Sequence, residues 1–242
     1  MRNLYTFAPP SGIIKIVHCP ALKEEPAMHF TGKTFSVALP DRTLTLCNQD
    51  HPDWTEPYAY QGNGATLRTS GCGIFSIVHA SQWMTGAFRD PAELAAFAMA
   101  CGGRGDDGTD RPVLLRAMMQ RGLAAAYGFS YGGEDLRNDL DALYAHLSAG
   151  RGCALCNLRP GHIVALCAAR RADGVFQVLA MDSAVESALP AVRDAVCEVL
   201  PESRVVKPVY NKNGLLCGEE SACAMYWARL DTVRDFNLLH AL

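Results

Sequence analysis

Thr69-Ser70-Gly71-Cys72-Gly73-Ile74-Phe75-Ser76-Ile77-Val78-His79 is the stretch that decides the fold. It opens on small polar residues and two glycines and continues as an apolar run to Met84. No Asp, Glu, Lys or Arg occurs between Thr69 and Phe88. A segment of this kind predicts a helix buried on every side, capped at its start by the hydroxyl of Thr69 or Ser70. Cys72 then falls in the first turn, where the helix dipole and unpaired N–H groups favour a thiolate and lower the thiol pKa. The flanking glycines leave the sulfur open to another backbone. A lone cysteine in such a turn is an ordinary core thiol, so a catalytic reading requires a base elsewhere in the chain.

The bulk properties narrow the field. A chain of 242 residues suits one domain, or one domain with an extension, and can bury a sizeable core. Hydrophobic residues make up 49%, a globular composition. The net charge of −3 and pI near 6.2, with no basic block, argue against nucleic-acid binding. No apolar run approaches the roughly 18 residues of a membrane span. Met1 to Tyr5 meets Pro9-Pro10 before an apolar signal region can form, so no signal peptide is expected. Ten cysteines are too sparse for a disulfide scaffold in a chain this long. They are expected to be reduced, in a cytoplasmic protein.

Outward from the Cys72 helix, residues 1–47 read as a β-rich extension. Phe35, Val37 and Leu39 alternate with small residues, and Leu44 and Leu46 alternate with threonines. Pro40-Asp41-Arg42 is a turn between them. Residues 48–68 form a long loop rich in turn residues and aromatics, and 48–242 reads as the main domain. Helices are expected after Asp90-Pro91-Ala92-Glu93, which combines an N-cap acid with proline at the first position, over Thr109–Gln120 and over Asp135–Ala149. The second half turns to strands: Cys153–Leu158, His162–Ala169 and Val175–Met181, the last two joined through an Asp-Gly turn. A helix over Pro190–Leu200 and closing strands at Val205–Tyr210 and Ala222–Leu230 complete the reading. Helices first and an antiparallel sheet second make an α+β fold.

Seven histidines are present. His79 lies seven residues along the helix from Cys72, about 10 Å of rise, so it reads as a packed core residue. His18, His29, His51, His146 and His240 have no motif around them. His162 follows Arg159-Pro160-Gly161 and opens an apolar strand. With a hairpin loop at Ala172-Asp173-Gly174 and Arg171 facing Val175, His162 faces Ala184. Asp182 then lies two residues away on the same face, a diagonal neighbour within reach. A slip of one residue would send the two to opposite faces. Cys72, His162 and Asp182 thus supply a nucleophile, a base and a group that orients the base.

Gln49-x-x-x-x-Trp54, Thr69-Ser70-Gly71-Cys72-Gly73, Gly161-His162-Ile163-Val164 and Met181-Asp182 together resemble a papain-like cysteine peptidase of the C39-like group, relatives of the processing peptidases of bacteriocin exporters. The resemblance covers roughly residues 48–185 and includes the Gly-Thr-Asp step at Gly108–Asp110. It implies a papain-like fold, with a helical half carrying the nucleophile packed on a C-terminal antiparallel sheet. It also implies hydrolysis of a peptide bond in a peptide or protein substrate through an acyl-enzyme, with no cofactor. Gln49 is the oxyanion glutamine on this reading, with Gln61 and the Asn63 amide as alternatives. Gly71, Gly73 and Gly161 are expected at the substrate-facing backbone. The sequence departs from the family at Gly73-Ile74-Phe75, where proline commonly follows the glycine. The same triad would serve an acyltransferase or amidase, and an inactive papain-like domain would bind peptides without cleaving them.

Two further motifs carry less. In a strand the cysteines of Cys153-Ala154-Leu155-Cys156 point to opposite faces, and Cys217 and Cys223 have no spacing that completes a four-ligand zinc set; they read as core thiols. Gly103-Arg104-Gly105-Asp106-Asp107-Gly108 matches a GxGxxG pattern but follows a helix, so the dinucleotide reading fails, and a loop near the cleft is expected.

Overall fold

The computed structural model describes residues 28–29, 32–133, 135–137, 139–159, 161–185, 194–210, 212–213 and 215–242. His18 and the amino-terminal part of the extension lie outside them, as do residues 190–193 of the helix expected over 190–200. In chain order the elements of the first half are β1 (Met28–His29), β2 (Thr34–Ala38), β3 (Thr43–Cys47), α1 (Leu67–Ser70), α2 (Cys72–Thr85), α3 (Pro91–Ala100), β4 (Arg104–Gly105), β5 (Gly108–Thr109), α4 (Arg111–Gln120) and α5 (Leu123–Ala126). The second half holds β6 (Phe129–Ser130), β7 (Asp135–Arg137), α6 (Leu140–Ser148), β8 (Gly152–Arg159), β9 (His162–Ala172), β10 (Val175–Met181), β11 (Val196–Val199), β12 (Arg204–Tyr210), β13 (Leu216–Cys223), β14 (Met225–Arg229) and β15 (Asp235–Ala241).

The architecture is α+β. An antiparallel sheet runs β11-β14-β10-β9-β8-β15-β6, with β7 also on β15. Both of its faces are covered. Cys153, Leu155, Ile163, Ala165, Leu179 and Met181 pack toward Ile74, Ile77 and Val78 of α2. Their neighbours Ala154, Cys156, Val164, Leu166, Val178 and Ala180 join Leu143 and Leu147 of α6 in a second core. Strands buried on both faces read as continuous apolar runs, which is why β8, β9 and β10 stand out in the sequence. The two cysteines of the CxxC lie in different cores, both fully buried, and burial pushes both thiols far up.

α2 is buried throughout from Cys72 to Gln82 and stops at Gly86 in the left-handed region, with φ of 74°. Its start differs from expectation. Gly71 is the N-cap and no side chain caps it, because the short helix α1 runs directly into α2. Thr69 instead serves α1: its hydroxyl accepts from Thr66 N at 3.0 Å.

Other boundaries also move. Thr109 belongs to a small hairpin, and Asp110 caps α4 by accepting from Val113 N at 3.1 Å. Asp135–Arg137 is a strand, and α6 starts after Asp139, which accepts from Ala142 N at 2.9 Å. Val196–Val199 is a strand pairing with β14 rather than helix. Ala222–Leu230 is broken at Ala224 between β13 and β14. β15, which was not anticipated, inserts between β8 and β6.

The described part of the extension packs on the main domain. Val37, Leu44, Leu46 and Cys47 belong to the core that surrounds α2, and Cys47 N donates to Nε2 of buried His79 at 2.9 Å.

The β9–β10 hairpin sets the register of the site. Its turn is two residues, Asp173 and Gly174, both at positive φ, not the three expected. Val175 pairs with Ala172, and that register holds to Leu179 opposite Ala168. A bulge then leaves Cys167 unpaired, and Ala180 faces Leu166. The turn alone would have put His162 and Asp182 on opposite faces of the sheet; the extra residue restores the same face.

Candidate active site

Cys72 is the first residue of α2, so its N–H is among those a helix leaves without an intrahelical partner. His162 is the first residue of β9, and Asp182 follows the last residue of β10. The hairpin register brings His162 Nε2 to 2.7 Å from Asp182 Oδ1. Nδ1 is left for the sulfur, and His162 and Cys72 interact strongly enough to shift each other's titration. Ser76 fixes the helix against the strand. Its hydroxyl lies 2.8 Å from Cys72 O and 2.8 Å from Ile163 O, so one side chain ties the residue bearing the sulfur to the neighbour of the imidazole.

Asp182 is fully buried, and both of its oxygens are occupied. Oδ1 also accepts from Ala184 N at 2.9 Å, and Oδ2 accepts from the Tyr226 hydroxyl at 2.7 Å. Tyr226 comes from β14, the neighbour of β10. Local sequence gives no sign of this contact; it depends on a strand pairing more than forty residues distant in the chain. Ser76 had a signal, as a polar residue one turn after Cys72 in the apolar first half of the helix.

The electrostatics follow from these contacts. Burial opposes the Cys72 thiolate, but the hydrogen bond and charge of His162, with backbone hydrogen bonds from Ile163 and Gly73, bring the thiol below its ordinary value. Burial likewise opposes the imidazolium, but the Asp182 charge and hydrogen bond, aided by Cys72, push His162 up to about 10. Burial raises the Asp182 carboxyl, and the His162 charge, Tyr226 and Ala184 more than offset it, leaving it below the usual range. His79 is the opposite case: burial lowers it to about 4, and its Nε2 accepts from Cys47, as a neutral ring does.

Gln49 lines the same cleft of about 280 Å³ as Cys72 and His162. Its Oε1 accepts from Ser183 Oγ at 3.0 Å, and its Nε2 donates to Arg68 O at 3.0 Å. The amide nitrogen has a second proton to offer. Trp54 holds this loop down: its indole donates to Asn48 O at 2.6 Å and packs edge-on against Phe75 of α2 at 4.9 Å. Gln61 and Asn63 do not line the cleft. Gln61 is exposed and donates to Tyr60 Oη at 3.2 Å, and Asn63 closes its own turn through Tyr60 N at 3.1 Å.

Of the three glycines expected to face substrate, Gly161 lines the cleft, at φ of 72°. Gly71 and Gly73 do not line it. A Cβ on Gly71 would stand 2.4 Å from Leu67 O, and one on Gly73 would stand 2.5 Å from Thr109 Cβ. Both glycines serve close packing of the protein on itself. A second cleft of about 800 Å³ adjoins the first, and Cys72, Asp107 and Gly161 line both. The GxGxxG segment is therefore part of the cleft wall, folded as the β4–β5 hairpin.

No family model, curated protein or solved structure matches this chain. Among the described residues no helix is long and apolar enough to cross a membrane.

Proposed function

We propose that this protein is a papain-like, C39-like cysteine peptidase that cleaves a peptide bond through Cys72, His162 and Asp182. The observation that carries the reading is His162, bonded to buried Asp182 through one ring nitrogen and lining an open cleft together with Cys72, whose thiol it lowers. A buried nucleophile with a lowered pKa beside a base held by a carboxylate is the arrangement that thiol catalysis needs.

The reaction runs as follows. The Cys72 thiolate attacks the carbonyl carbon of the scissile bond. The developing oxyanion accepts from the Cys72 backbone N–H and from Gln49 Nε2; losing one such donor costs on the order of 100-fold in rate. The tetrahedral species collapses as His162 gives its proton to the leaving nitrogen, and the carbon–nitrogen bond breaks. A thioester remains on Cys72. His162, now neutral, takes a proton from water, and the hydroxide attacks the thioester. His162 returns that proton to the departing sulfur, which restores the imidazole–thiol pair and its ion-pair form. Asp182 holds the ring orientation and stabilises the imidazolium throughout.

The test is incubation of the purified protein with a mixed peptide library, with products identified by mass spectrometry. Cleavage that is lost in Cys72→Ala and in His162→Ala, both still folded by circular dichroism, supports the proposal. Undiminished cleavage in either variant sinks it.

A further inference from the structure

The walls of the two clefts carry a negative balance of charge. Apart from Cys72 and His162, the ionisable side chains lining them are Asp50, Asp107, Asp110, Asp235 and Arg111. Arg111 is engaged: Nη2 lies 2.6 Å from Asp235 Oδ2, and Nη1 donates to Leu155 O at 2.9 Å. Asp110 caps α4. Asp107 differs in two respects. It lines both clefts beside Cys72, and among the described residues its carboxylate has no ion-pair partner.

The hairpin that presents Asp107 is held rigidly to the first turn of the nucleophile helix. Arg104, only 5% exposed, fills the inside of the loop. Its Nε donates to Tyr58 O at 2.9 Å, and its Nη1 bonds Gly105 O and, at 3.0 Å, Gly108 O. The Tyr58 hydroxyl lies 2.8 Å from Thr109 Oγ1, and Thr109 sits directly on Gly73, the residue after the nucleophile. A buried arginine thus serves to fix a turn, Asp106-Asp107, whose second residue lines both clefts together with Cys72. Arg104 directs its charge at carbonyl oxygens. Counting it with Asp106 still leaves the balance negative.

We propose that Asp107 is a specificity-determining residue, selecting substrates with a positively charged side chain next to the scissile bond; this rests on the peptidase reading above. A carboxylate carried on an ordered hairpin in a cleft focuses its field on whatever enters, attracts lysine or arginine there, and rejects a like charge. Because the hairpin is already ordered, little of that attraction is lost to ordering on binding.

The experiment compares rates of modification of Cys72 by two reagents of similar size, cationic aminoethyl methanethiosulfonate and anionic sulfonatoethyl methanethiosulfonate. The full chain is used, and the modified site is mapped by mass spectrometry. Asp107→Asn and Asp107→Lys are run alongside; both change an exposed turn residue. We expect the wild type to favour the cation by on the order of tenfold at low salt, the Asn variant to lose most of that preference, and the Lys variant to reverse it. Raising the ionic strength should shrink the difference. Matched peptides bearing Lys, Ala or Glu beside the cleaved bond should follow the same order in kcat/KM. Rapid reaction of Cys72 with a reagent ratio unchanged by either substitution overturns the role of Asp107 and leaves the nucleophile reading standing. Slow reaction of Cys72 with both reagents overturns both.

Discussion

The hydroxyl of Tyr226 donates to Oδ2 of Asp182 across 2.7 Å, so the carboxylate that holds His162 is itself held from the neighbouring strand. Tyr226→Phe keeps the ring and removes one donor from a fully buried carboxylate. An unsatisfied buried acceptor costs about 1–3 kcal/mol, so the variant should be less stable to urea by about that amount. Loss of an outer partner that orients a reacting group should also lower kcat/KM by about tenfold or more, mainly through kcat. Stability and kinetics both equal to wild type would mean that Asp182 needs no anchor.

Ser76 is the second positioning residue. Its hydroxyl joins the Cys72 and Ile163 carbonyls, so Ser76→Ala should loosen the sulfur–imidazole separation while leaving an apolar helix that still packs. We expect a fall in kcat of about tenfold with KM little changed, since small misplacements of reacting groups are costly. Thermal unfolding should shift only slightly. A variant with unaltered kcat would show that packing alone sets the separation.

The pH dependence follows from the two shifts. The Cys72 thiol is depressed below 9.0, so thiolate is present above its lowered value and is lost as pH falls through it. His162 is raised to about 10, so imidazolium persists until pH rises through that point. The productive ion pair spans the window between them, and kcat/KM should be bell-shaped with an alkaline limb near 10. In Asp182→Asn the alkaline limb should move to lower pH, because the charge that raises His162 is gone. An alkaline limb that does not move would exclude His162 as its source.

His79 makes the fold acid-sensitive apart from catalysis. Its folded value of about 4 lies below the ordinary 6.5. Between those values the unfolded chain binds the proton and the folded one does not. Stability therefore rises with pH across that window, and the full cost, about 3 kcal/mol, is reached below it. His79→Gln, which retains an acceptor for Cys47 N, should flatten this part of the urea-midpoint profile. Profiles of equal slope would mean that His79 titrates normally.

Much of this was legible in the sequence because it is local. The buried helix from Cys72 to Gly86 announces itself by its lack of charge, and β8, β9 and β10 by apolar runs covered on both faces. The proximity of His162 and Asp182 was read from a hairpin, but with a three-residue loop that the structure does not have. The true two-residue turn and the bulge at Cys167 cancel, so the register near the site comes out the same. Nothing in a sequence marks such a bulge. β15 was missed because its partners β8 and β6 are distant in the chain, and Tyr226 and Asp107 for a similar reason. A tyrosine in a closing strand or an aspartate in a turn acquires a role only when the chain brings it to the site.

The bulge itself can be tested by deletion. Removing Cys167 should leave a regular ladder in which Ala168 still faces Leu179 and Leu166 still faces Ala180, so His162 and Asp182 stay on one face. We expect the His162–Asp182 pair to persist by imidazole NMR, with activity well above that of His162→Ala. A folded deletion variant that lacks the pair would contradict the register described here.

The most direct test of the central claim is the ultraviolet thiolate absorbance of Cys72 as a function of pH, taken as wild type minus Cys72→Ala. An ion pair with His162 requires a midpoint below the 9.0 of an ordinary thiol, moving upward in His162→Ala. A midpoint at or above that value, unmoved by the loss of His162, would show Cys72 to be a core thiol and His162 no partner to it.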